Sequence, residues 1–401
     1  MFKKRTLTSS IERVSNSFKV LLLTGMRQVG KTTLLKMCGK NRKYVTFDNA
    51  KDLRLAVEEP ELFMETYPPP VLIDEVQYAP SIFSHIKMLV DNSAKKGQVW
   101  LTGSQQFQMM QGVTESLAGR VAIVNLLGFS LYELEGKSDL QKPFLPSKQN
   151  PCILKKKKLL DTYRIIWQGS FPDIALAGPE IWPDFYSSFI KTYLERDVRQ
   201  LINVGSITAF TRFLGIVAAR TGQELNILDI ARDADISRST AQAWISILES
   251  SGIIILLKPW FKNISKRLVK RPKIHWMDTG LCSYLCDWTS PETLEKGAMS
   301  GPIFESFVVS EIIKSYGHNG KSPSLYYYRD SNGVEIDLLI AQDGMLFPIE
   351  IKKTANPSKD DIKAFKSFSE AEKLGYGSLI CLTDSPRPLT ENANALSIWD
   401  I

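Results

Sequence analysis

The chain has 401 residues, of which 44% are hydrophobic and 23% are charged, so it is long enough and apolar enough for two or three folded domains. It contains no run of about 18 apolar residues and no apolar signal-peptide core, and we therefore expect a cytoplasmic protein that does not enter a membrane. Its net charge of +7 is compatible with nucleic acid as a partner without requiring it. The five cysteines form no CxxC pair, which disfavours a zinc site.

Short apolar runs alternate with helical patterns in the first third of the chain. These runs are VLLLTG at 20–25, KYVTFD at 43–48, PVLIDEV at 70–76, QVWLTGS at 98–104 and RVAIVNLL at 120–127. Buried strands that alternate with crossover helices are typical of a parallel α/β sheet. We therefore predict an α/β domain with a parallel sheet over residues 1–135.

The stretch GMRQVGKTT (25–33) fits the phosphate-loop pattern G-x-x-x-x-G-K-[ST] and lies between a predicted strand and a predicted helix. Its glycines let backbone N–H groups turn toward phosphates, Lys31 supplies a cation for the β- and γ-phosphates, and Thr32 supplies a hydroxyl for Mg²⁺. The pattern predicts binding of ATP or GTP with Mg²⁺. The predicted nucleotide-binding residues of the loop are Gly25, Gln28, Val29, Gly30, Lys31, Thr32 and Thr33.

A pair of adjacent carboxylates follows the buried strand VLID. In a parallel sheet, ligands lie at the carboxyl ends of the strands, where Asp74 and Glu75 are expected. We predict that Asp74 holds Mg²⁺ through water and that Glu75 orients the attacking water, which makes the protein an ATPase and not only a nucleotide binder. Two surface acids at a strand end are the alternative interpretation.

Polar groups near the next strands complete this predicted site. Thr102 and Ser104 end the strand QVWLTGS, where they could sense the γ-phosphate. Arg120 precedes the last strand and is a candidate arginine finger or sensor, with a plain surface charge as the alternative. Arg196 and Arg199 are weaker candidates for the same role. An arginine that acts in trans would require a homo-oligomer.

The middle of the chain is helical. A polar, proline-containing stretch over 135–158 ends in four lysines and predicts a boundary, so residues 136–215 are predicted to form a linker and a helical, lid-like region. Farther along, LNILDIARDADISRSTAQAWISILESSGIIILLKPW predicts a helix, a turn, a second helix and a strand, with Ser237 as N-cap and Gly252 after the last turn. We predict a winged helix-turn-helix over 216–290.

A winged helix-turn-helix suggests DNA as a partner. The second helix begins with side chains that could reach base edges or phosphates, and the stretch 258–273 carries seven Lys/Arg and no acid. A solvated loop, a lid or a protein contact are the alternatives. The predicted DNA-contacting residues are Arg238, Ser239, Thr240, Lys266, Arg267, Lys270 and Arg271.

The order of several motifs resembles a widespread prokaryotic family of AAA-type ATPases with a C-terminal domain of unknown function. The motifs are the phosphate loop, LIDEVQ, LTGS, LAGR, GSFPD at 169–173, YLERDV at 193–198 and GPIFESFVVSEI at 301–312. The resemblance implies ATP as the nucleotide, a helical and winged-helix middle, and a domain over 291–401 that looks like a PD-(D/E)XK nuclease fold. Many members have Gly-Gly-Tyr-Pro where this chain has GSFPD.

The stretch VEIDLLIAQDGMLFPIEIKK (334–353) predicts a β-hairpin around a type I′ turn at Asp343-Gly344. That turn places Asp337 opposite Glu350 and on the same face as Lys352. Facing carboxylates could hold a second divalent metal, with Lys352 stabilising the attacked phosphate. An exposed hairpin without a metal is the alternative, and Pro348 could shift the register.

In the nuclease fold that the chain resembles, a helix glutamate completes the set, and Glu305 matches it. Such a fold can also bind DNA without cutting it, so cleavage is left open. Two functions from different classes remain. One is an ATPase that remodels or processes DNA through a nuclease-like domain. The other is a regulatory switch ATPase that grips a protein partner.

Overall fold

The computed structural model describes residues 2–103, 113, 116–150, 152–193, 207–263, 267, 270–369 and 372–401. The chain divides into two compact units. The first comprises residues 1–129 with 317–321, and the second comprises residues 130–316 with 322–401. Across the described ranges, the helices are all too short or too polar to cross a membrane.

The first unit contains a parallel sheet of five strands, as the alternating pattern predicts. The strands lie in the order β2-β3-β4-β1-β5, so β4 separates the two strands that carry the phosphate loop and the acidic pair. All residues of β1, β3 and β4 are buried, which explains their continuous apolar sequences. The strands are β1 (Val20–Thr24), β2 (Lys43–Thr46), β3 (Val71–Asp74), β4 (Val99–Thr102) and β5 (Val121–Asn125).

Helices connect these strands and cover the sheet. Leu22 and Ile73 of the strands join Phe63 and Phe83 of the helices in one apolar core. A short 3₁₀ turn, Val76–Tyr78, follows the acidic pair. The helices are α1 (Thr8–Ser17), α2 (Lys31–Cys38), α3 (Ala50–Glu58), α4 (Pro60–Thr66) and α5 (Ile82–Asp91).

The second unit is mostly helical in its first half. Two helices, α11 (Ile227–Ala234) and α12 (Arg238–Ser250), form the helix-turn-helix that the sequence predicts. Ser237 caps α12 by accepting a hydrogen bond from the Thr240 N–H at 3.0 Å, and Gly252 follows the helix with a positive φ of 74°, as predicted. The helices are α6 (Leu131–Leu134), α7 (Leu159–Gln168), α8 (Pro172–Ala177), α9 (Trp182–Tyr193), α10 (Ile207–Ala218), α11 (Ile227–Ala234), α12 (Arg238–Ser250), α13 (Thr279–Leu285), α14 (Pro291–Lys296), α15 (Ser300–Gly317) and α16 (Lys363–Ser369).

A mixed sheet of eight strands completes the second unit. Its order is β12-β13-β11-β10-β9-β8-β6-β7. The strands are β6 (Ile254–Pro259), β7 (Lys273–Trp276), β8 (Ser324–Arg329), β9 (Glu335–Gln342), β10 (Met345–Ile351), β11 (Gly377–Cys381), β12 (Arg387–Thr390) and β13 (Ala393–Ser397).

Strand pairing crosses the boundary that the sequence predicts between residues 290 and 291. Strand β6, which follows the helix-turn-helix, pairs antiparallel with β7 and parallel with β8, where Lys258 lies beside Tyr326. The region after the helix-turn-helix therefore shares one sheet with the C-terminal region. Such pairing between strands far apart in the chain leaves no periodic signal in the sequence.

A buried carboxylate explains why the GSFPD motif lies where it does. Asp278 accepts hydrogen bonds from the Tyr186 hydroxyl at 2.6 Å, the Ser170 N–H at 2.6 Å and the Leu281 N–H at 2.7 Å. Gly169 has a φ of +83°, and a Cβ there would lie 2.3 Å from the Tyr186 hydroxyl oxygen. The motif thus fastens the end of α7 to α9 and α13.

Candidate active site

The phosphate loop follows β1 and ends at the start of α2. Gly25 and Gly30 have φ values of +140° and +89°, and a Cβ on Gly25 would lie 2.2 Å from the Leu126 carbonyl oxygen. The buried Lys31 ammonium donates hydrogen bonds to the carbonyls of Gly25 at 2.9 Å and Met26 at 2.7 Å. The predicted loop residues are therefore together, with the lysine folded into the loop.

The rest of the loop faces two ways. Gln28 is exposed and also has a positive φ of 60°, whereas Val29 is fully buried. Thr33 is exposed on the first turn of α2. Left-handed residues lie on either side of Val29, and an alternation of right- and left-handed residues lets successive backbone N–H groups converge on an anion.

A buried arginine that the sequence analysis missed braces this loop. The Arg5 guanidinium, 3% exposed, donates to the Val29 carbonyl at 2.9 Å and to the Leu127 carbonyl at 2.6 Å. It thereby joins the loop after β1 to the segment after β5. A single basic residue in a polar N-terminal stretch carries no sequence signal for this role.

Asp74 and Thr32 meet at the carboxyl edge of the sheet, as predicted. The Thr32 hydroxyl donates to the Asp74 carboxylate at 2.9 Å, and the Tyr44 hydroxyl donates to the same oxygen at 3.0 Å. A carboxylate and a hydroxyl beside a phosphate loop are hard oxygen ligands and fit Mg²⁺. Burial, and then the charge of Asp74, raise the pKa of Tyr44 to about 12, so this hydroxyl remains a donor at neutral pH.

Glu75 occupies a turn directly after β3. Its backbone is left-handed, with φ 55° and ψ 41°, which is rare for a residue with a side chain. The Gln77 side-chain amide donates a short hydrogen bond to a Glu75 carboxylate oxygen. Gln77 is 5% exposed, and its own side-chain oxygen is buried without a hydrogen-bond partner in the described part of the chain. The sequence analysis did not identify this contact.

Thr102 lies at the carboxyl end of β4, beside Leu23 of β1. Its hydroxyl is buried and has no hydrogen-bond partner within the described ranges. It therefore lies at the same sheet edge as the phosphate loop, where the sequence analysis expects it. Ser104, Arg196 and Arg199 lie outside the described residues.

Arg120 does not lie near the phosphate loop of its own chain. It precedes β5, and its carbonyl accepts from the N–H of Val20, the first residue of β1. The loop begins after the last residue of β1, about 13 Å farther along a strand of this length. Arg120 instead forms a two-point ion pair with Asp91 at 2.5 and 2.9 Å. The interpretation of Arg120 as a sensor in its own site is therefore corrected.

The first turn of α12 carries the side chains predicted to contact DNA. Arg238 and Ser239 are exposed, and Thr240 is half-buried. The Ser239 and Thr240 hydroxyls lie 2.9 and 2.7 Å from the Ser237 hydroxyl, so both belong to the N-cap. Arg238 is the exposed cation of this turn.

The basic residues between β6 and β7 differ in their surroundings. Lys270 and Arg271 are exposed, whereas Arg267 stacks on the Trp260 ring at 3.5 Å and donates to the Phe261 carbonyl. Arg267 is thus used within the fold. Lys266 lies outside the described residues.

The C-terminal hairpin has the predicted register. Asp343 and Gly344 have φ values of 51° and 74°, as a type I′ turn requires, and the pairing continues past Pro348 without a shift. The Asp337 carboxylate accepts a hydrogen bond at 2.9 Å from the N–H of Ile351 on the partner strand.

A lysine distant in sequence joins the carboxylates of this hairpin. The Lys273 ammonium forms a short ion pair with Glu335 and lies 3.4 Å from Glu305 and 3.9 Å from Asp337. Glu350 pairs instead with Lys352 at 2.7 Å. The four predicted residues are thus brought together, with Lys273 and Glu335 as two members that the sequence analysis missed.

Burial dominates the electrostatics of this acid–lysine cluster. Burial, and then Asp337, raise the pKa of Glu305 and of Glu350 to about 8. Burial lowers the pKa of Lys273, but the charges of Glu305, Asp337 and Glu335 outweigh it, so the pKa is raised and the ammonium stays charged.

The cluster does not fit the second divalent metal that the sequence predicts at Asp337 and Glu350. Within the described ranges, no group of three or more His, Cys, Asp or Glu residues is placed to hold a metal ion. The physical reason is Lys273, whose ammonium already lies among the carboxylates. Hairpin spacing alone cannot reveal a lysine that comes from another strand.

Comparison with known proteins agrees with the geometry of the first unit. Residues 17–135 match the family model described as an AAA domain. Uncharacterized proteins of Mycobacterium bovis and Mycobacterium tuberculosis are each 31% identical over 362 residues, which is 89% of this chain and 76% of theirs. The chain belongs to the family of these two proteins. Its first unit contains an AAA domain, and the protein is an ATPase of the P-loop kind.

The rest of this AAA-type ATPase matches domains without an assigned role. Residues 159–292 match a domain of unknown function (DUF8612), and residues 300–401 match another (DUF4143). Among solved structures, a Walker-type ATPase of Pyrococcus abyssi is 14% identical, with a TM-score of 0.47 over 71% of this chain and 96% of that one. The RuvB Holliday junction branch migration motor of Thermotoga maritima is 12% identical, with a TM-score of 0.30 over 62% and 88%.

Proposed function

We propose that this ATPase uses Glu75 to activate the attacking water and couples ATP hydrolysis to the remodelling of DNA or of protein–DNA complexes. The observation that carries the hydrolytic part is the convergence of Lys31, Thr32, Asp74 and Glu75 at one sheet edge. The DNA part is supported by the exposed cations of the helix-turn-helix region.

Different residues of the site bind the phosphates, hold Mg²⁺ and orient the attacking water. The amino end of α2 and the loop amides receive the phosphates of ATP, and Lys31 exchanges its carbonyl contacts for phosphate oxygens. Thr32 and Asp74 would hold Mg²⁺, which neutralises phosphate charge when it is bound. Glu75, one residue beyond Asp74, accepts a hydrogen bond from water and aligns it with the γ-phosphate.

Substitution of Glu75 by glutamine tests the hydrolytic assignment. The variant keeps the shape of the side chain but loses the carboxylate, so it should bind ATP with unchanged affinity and hydrolyse it at least about 100-fold more slowly. Binding would be followed with a fluorescent ATP analogue and turnover by phosphate release. Turnover at the wild-type rate would show that Glu75 is not the residue that activates water.

The DNA assignment rests on Arg238, Lys270 and Arg271, which are exposed cations of the same helix-turn-helix region. Phosphate contacts by such residues release counterions, so affinity should fall steeply with salt. The charge-removing double variant Lys270→Ala/Arg271→Ala should bind duplex DNA more weakly and with a smaller salt slope. Lys3→Ala/Lys4→Ala, in the first unit, is the matched control. Equal affinity of the two double variants for duplex DNA would show that the helix-turn-helix region does not contact DNA.

A protein partner is the second candidate, and one observation favours it. Leu228 on α11, the first helix of the helix-turn-helix, is 59% exposed, which suits an apolar contact better than a phosphate backbone. In that case Leu228→Ser would abolish capture of the partner while ATP turnover stayed indifferent to DNA. DNA cleavage is not included in the proposed function, because the acid–lysine cluster does not fit a metal.

A further inference from the structure

The acid–lysine cluster of the second unit is built from four elements around one ammonium group. Lys273 is the first residue of β7 and its side chain is 5% exposed. Glu305 comes from α15, whereas Glu335 and Asp337 come from β9. Glu350 on β10 completes the group of acids. Four carboxylates in this confined space require a positive charge or protons for the fold to be stable.

We propose that Lys273 takes the place of a divalent cation in this cluster, so that the native C-terminal region binds no metal there and does not cleave DNA. The ammonium lies within 4 Å of Asp337, a predicted metal ligand, and of Glu305, which the nuclease-like resemblance adds to the set. A lysine is tethered to the chain and supplies its charge in every copy of the protein.

Two further oxygen atoms of the cluster have their own donors. One oxygen of Asp337 accepts the Ile351 N–H, and one oxygen of Glu350 pairs with Lys352. The other carboxylate oxygen of Glu350 is buried without a hydrogen-bond partner in the described part of the chain. Mg²⁺ needs near-octahedral oxygen ligation. A divalent ion would have to displace these donors and would meet the Lys273 ammonium at close range.

A histidine of the same strand, β7, also lies beside the cluster. His275 is fully buried, its Nδ1 lies 3.1 Å from the Ser306 hydroxyl, and its Nε2 lies 3.9 Å from Glu305. Burial, and then the charge of Lys273, lower the pKa of His275 to about 3, so the ring is neutral at pH 7. Lys273 is therefore the permanent cation nearest Glu305 and Asp337.

Divalent-metal binding to the nucleotide-free full chain tests this inference. Mn²⁺ would be titrated into wild type and into Lys273→Met, which keeps the side-chain length and removes the charge. Wild type should show no shift in melting temperature, whereas the variant should gain about 3 °C or more at saturating Mn²⁺. The matched control is Lys314→Met, since Lys314 is a buried lysine paired with the single carboxylate of Glu311 at 2.8 Å. It should gain nothing.

A second comparison decides the question even when Lys273→Met does not fold. Bound Mn²⁺ would be counted by electron paramagnetic resonance in wild type and in Asp337→Asn, and both would be incubated with supercoiled plasmid and Mn²⁺. The inference requires equal Mn²⁺ counts and no nicking in either protein. A wild-type Mn²⁺ site or nicking activity that disappears in Asp337→Asn would overturn it, and so would a folded Lys273→Met without metal binding.

Discussion

At the scale of single residues, the role proposed for Glu75 depends on the orientation of its carboxylate. The left-handed backbone at Glu75 turns the chain out of β3, and the amide of Gln77 holds the carboxylate two residues farther on. The motif LIDEVQ signals the two acids in the sequence. The role of the glutamine is not visible there, because it depends on the 3₁₀ turn that returns its side chain to Glu75.

Gln77→Ala should lower kcat for ATP by about tenfold and leave KM nearly unchanged, because ATP binding does not require an aimed Glu75. Steady-state phosphate release over a range of ATP concentrations measures both quantities. Gln98→Ala, at the opposite end of the strands, is the matched control and should change neither. A rise in KM without a fall in kcat would mean that Gln77 contributes to ATP binding and not to the alignment of Glu75.

At the scale of elements, local signals predict the structure well and distant pairings escape them. The hairpin register over β9 and β10 follows from the Asp343-Gly344 turn, since a two-residue turn fixes every later pair. The pairing of β6 with β8 and the approach of Lys273 to Asp337 follow from no such neighbour rule. The residues of the nucleotide site were predictable because their motifs are local. The acid–lysine cluster was predictable in part: four of its side chains were named from the sequence, whereas Glu335 and Lys273, which comes from another strand, were missed.

Asp278 is a buried carboxylate that accepts hydrogen bonds from three separate segments of the second unit. Asp278→Ala would leave the backbone N–H groups of Ser170 and Leu281 without a buried acceptor, so it should destabilise the second unit by about 3 kcal/mol or more. Urea unfolding followed by tryptophan fluorescence measures the loss. The exposed Asp173→Ala, in the same GSFPD motif, is the control. A loss below about 1 kcal/mol would mean that water replaces the carboxylate.

At the scale of the whole molecule, Arg120 can take part in ATP hydrolysis only if a second copy of the chain binds the nucleotide that it contacts. Arg120 lies at the amino edge of the sheet, away from the phosphate loop, in a two-point ion pair with Asp91 on the surface. An arginine in this place can act only on a nucleotide held by another copy. Arginine fingers supplied in trans stabilise the transition state of phosphoryl transfer.

Mixing two inactive variants tests this assembly. Arg120→Ala and Glu75→Gln should each lose at least about 100-fold in ATP turnover. A mixture should recover part of the activity, because the intact Arg120 of the Glu75→Gln chain completes the intact site of the other chain. Arg54→Ala, an exposed arginine paired with Glu58, is the control and should keep full activity. Absence of recovery in a mixture shown to contain mixed oligomers would contradict action in trans.

The most direct test of the central claim is steady-state ATP turnover by the wild-type protein, measured with increasing duplex DNA at low and at physiological salt. Coupling of hydrolysis to DNA predicts turnover that rises several-fold with DNA at low salt, with a half-saturation point that moves to higher DNA concentration as salt increases. Turnover that is the same with and without DNA at both salt concentrations would contradict the DNA role and favour a protein partner for this ATPase.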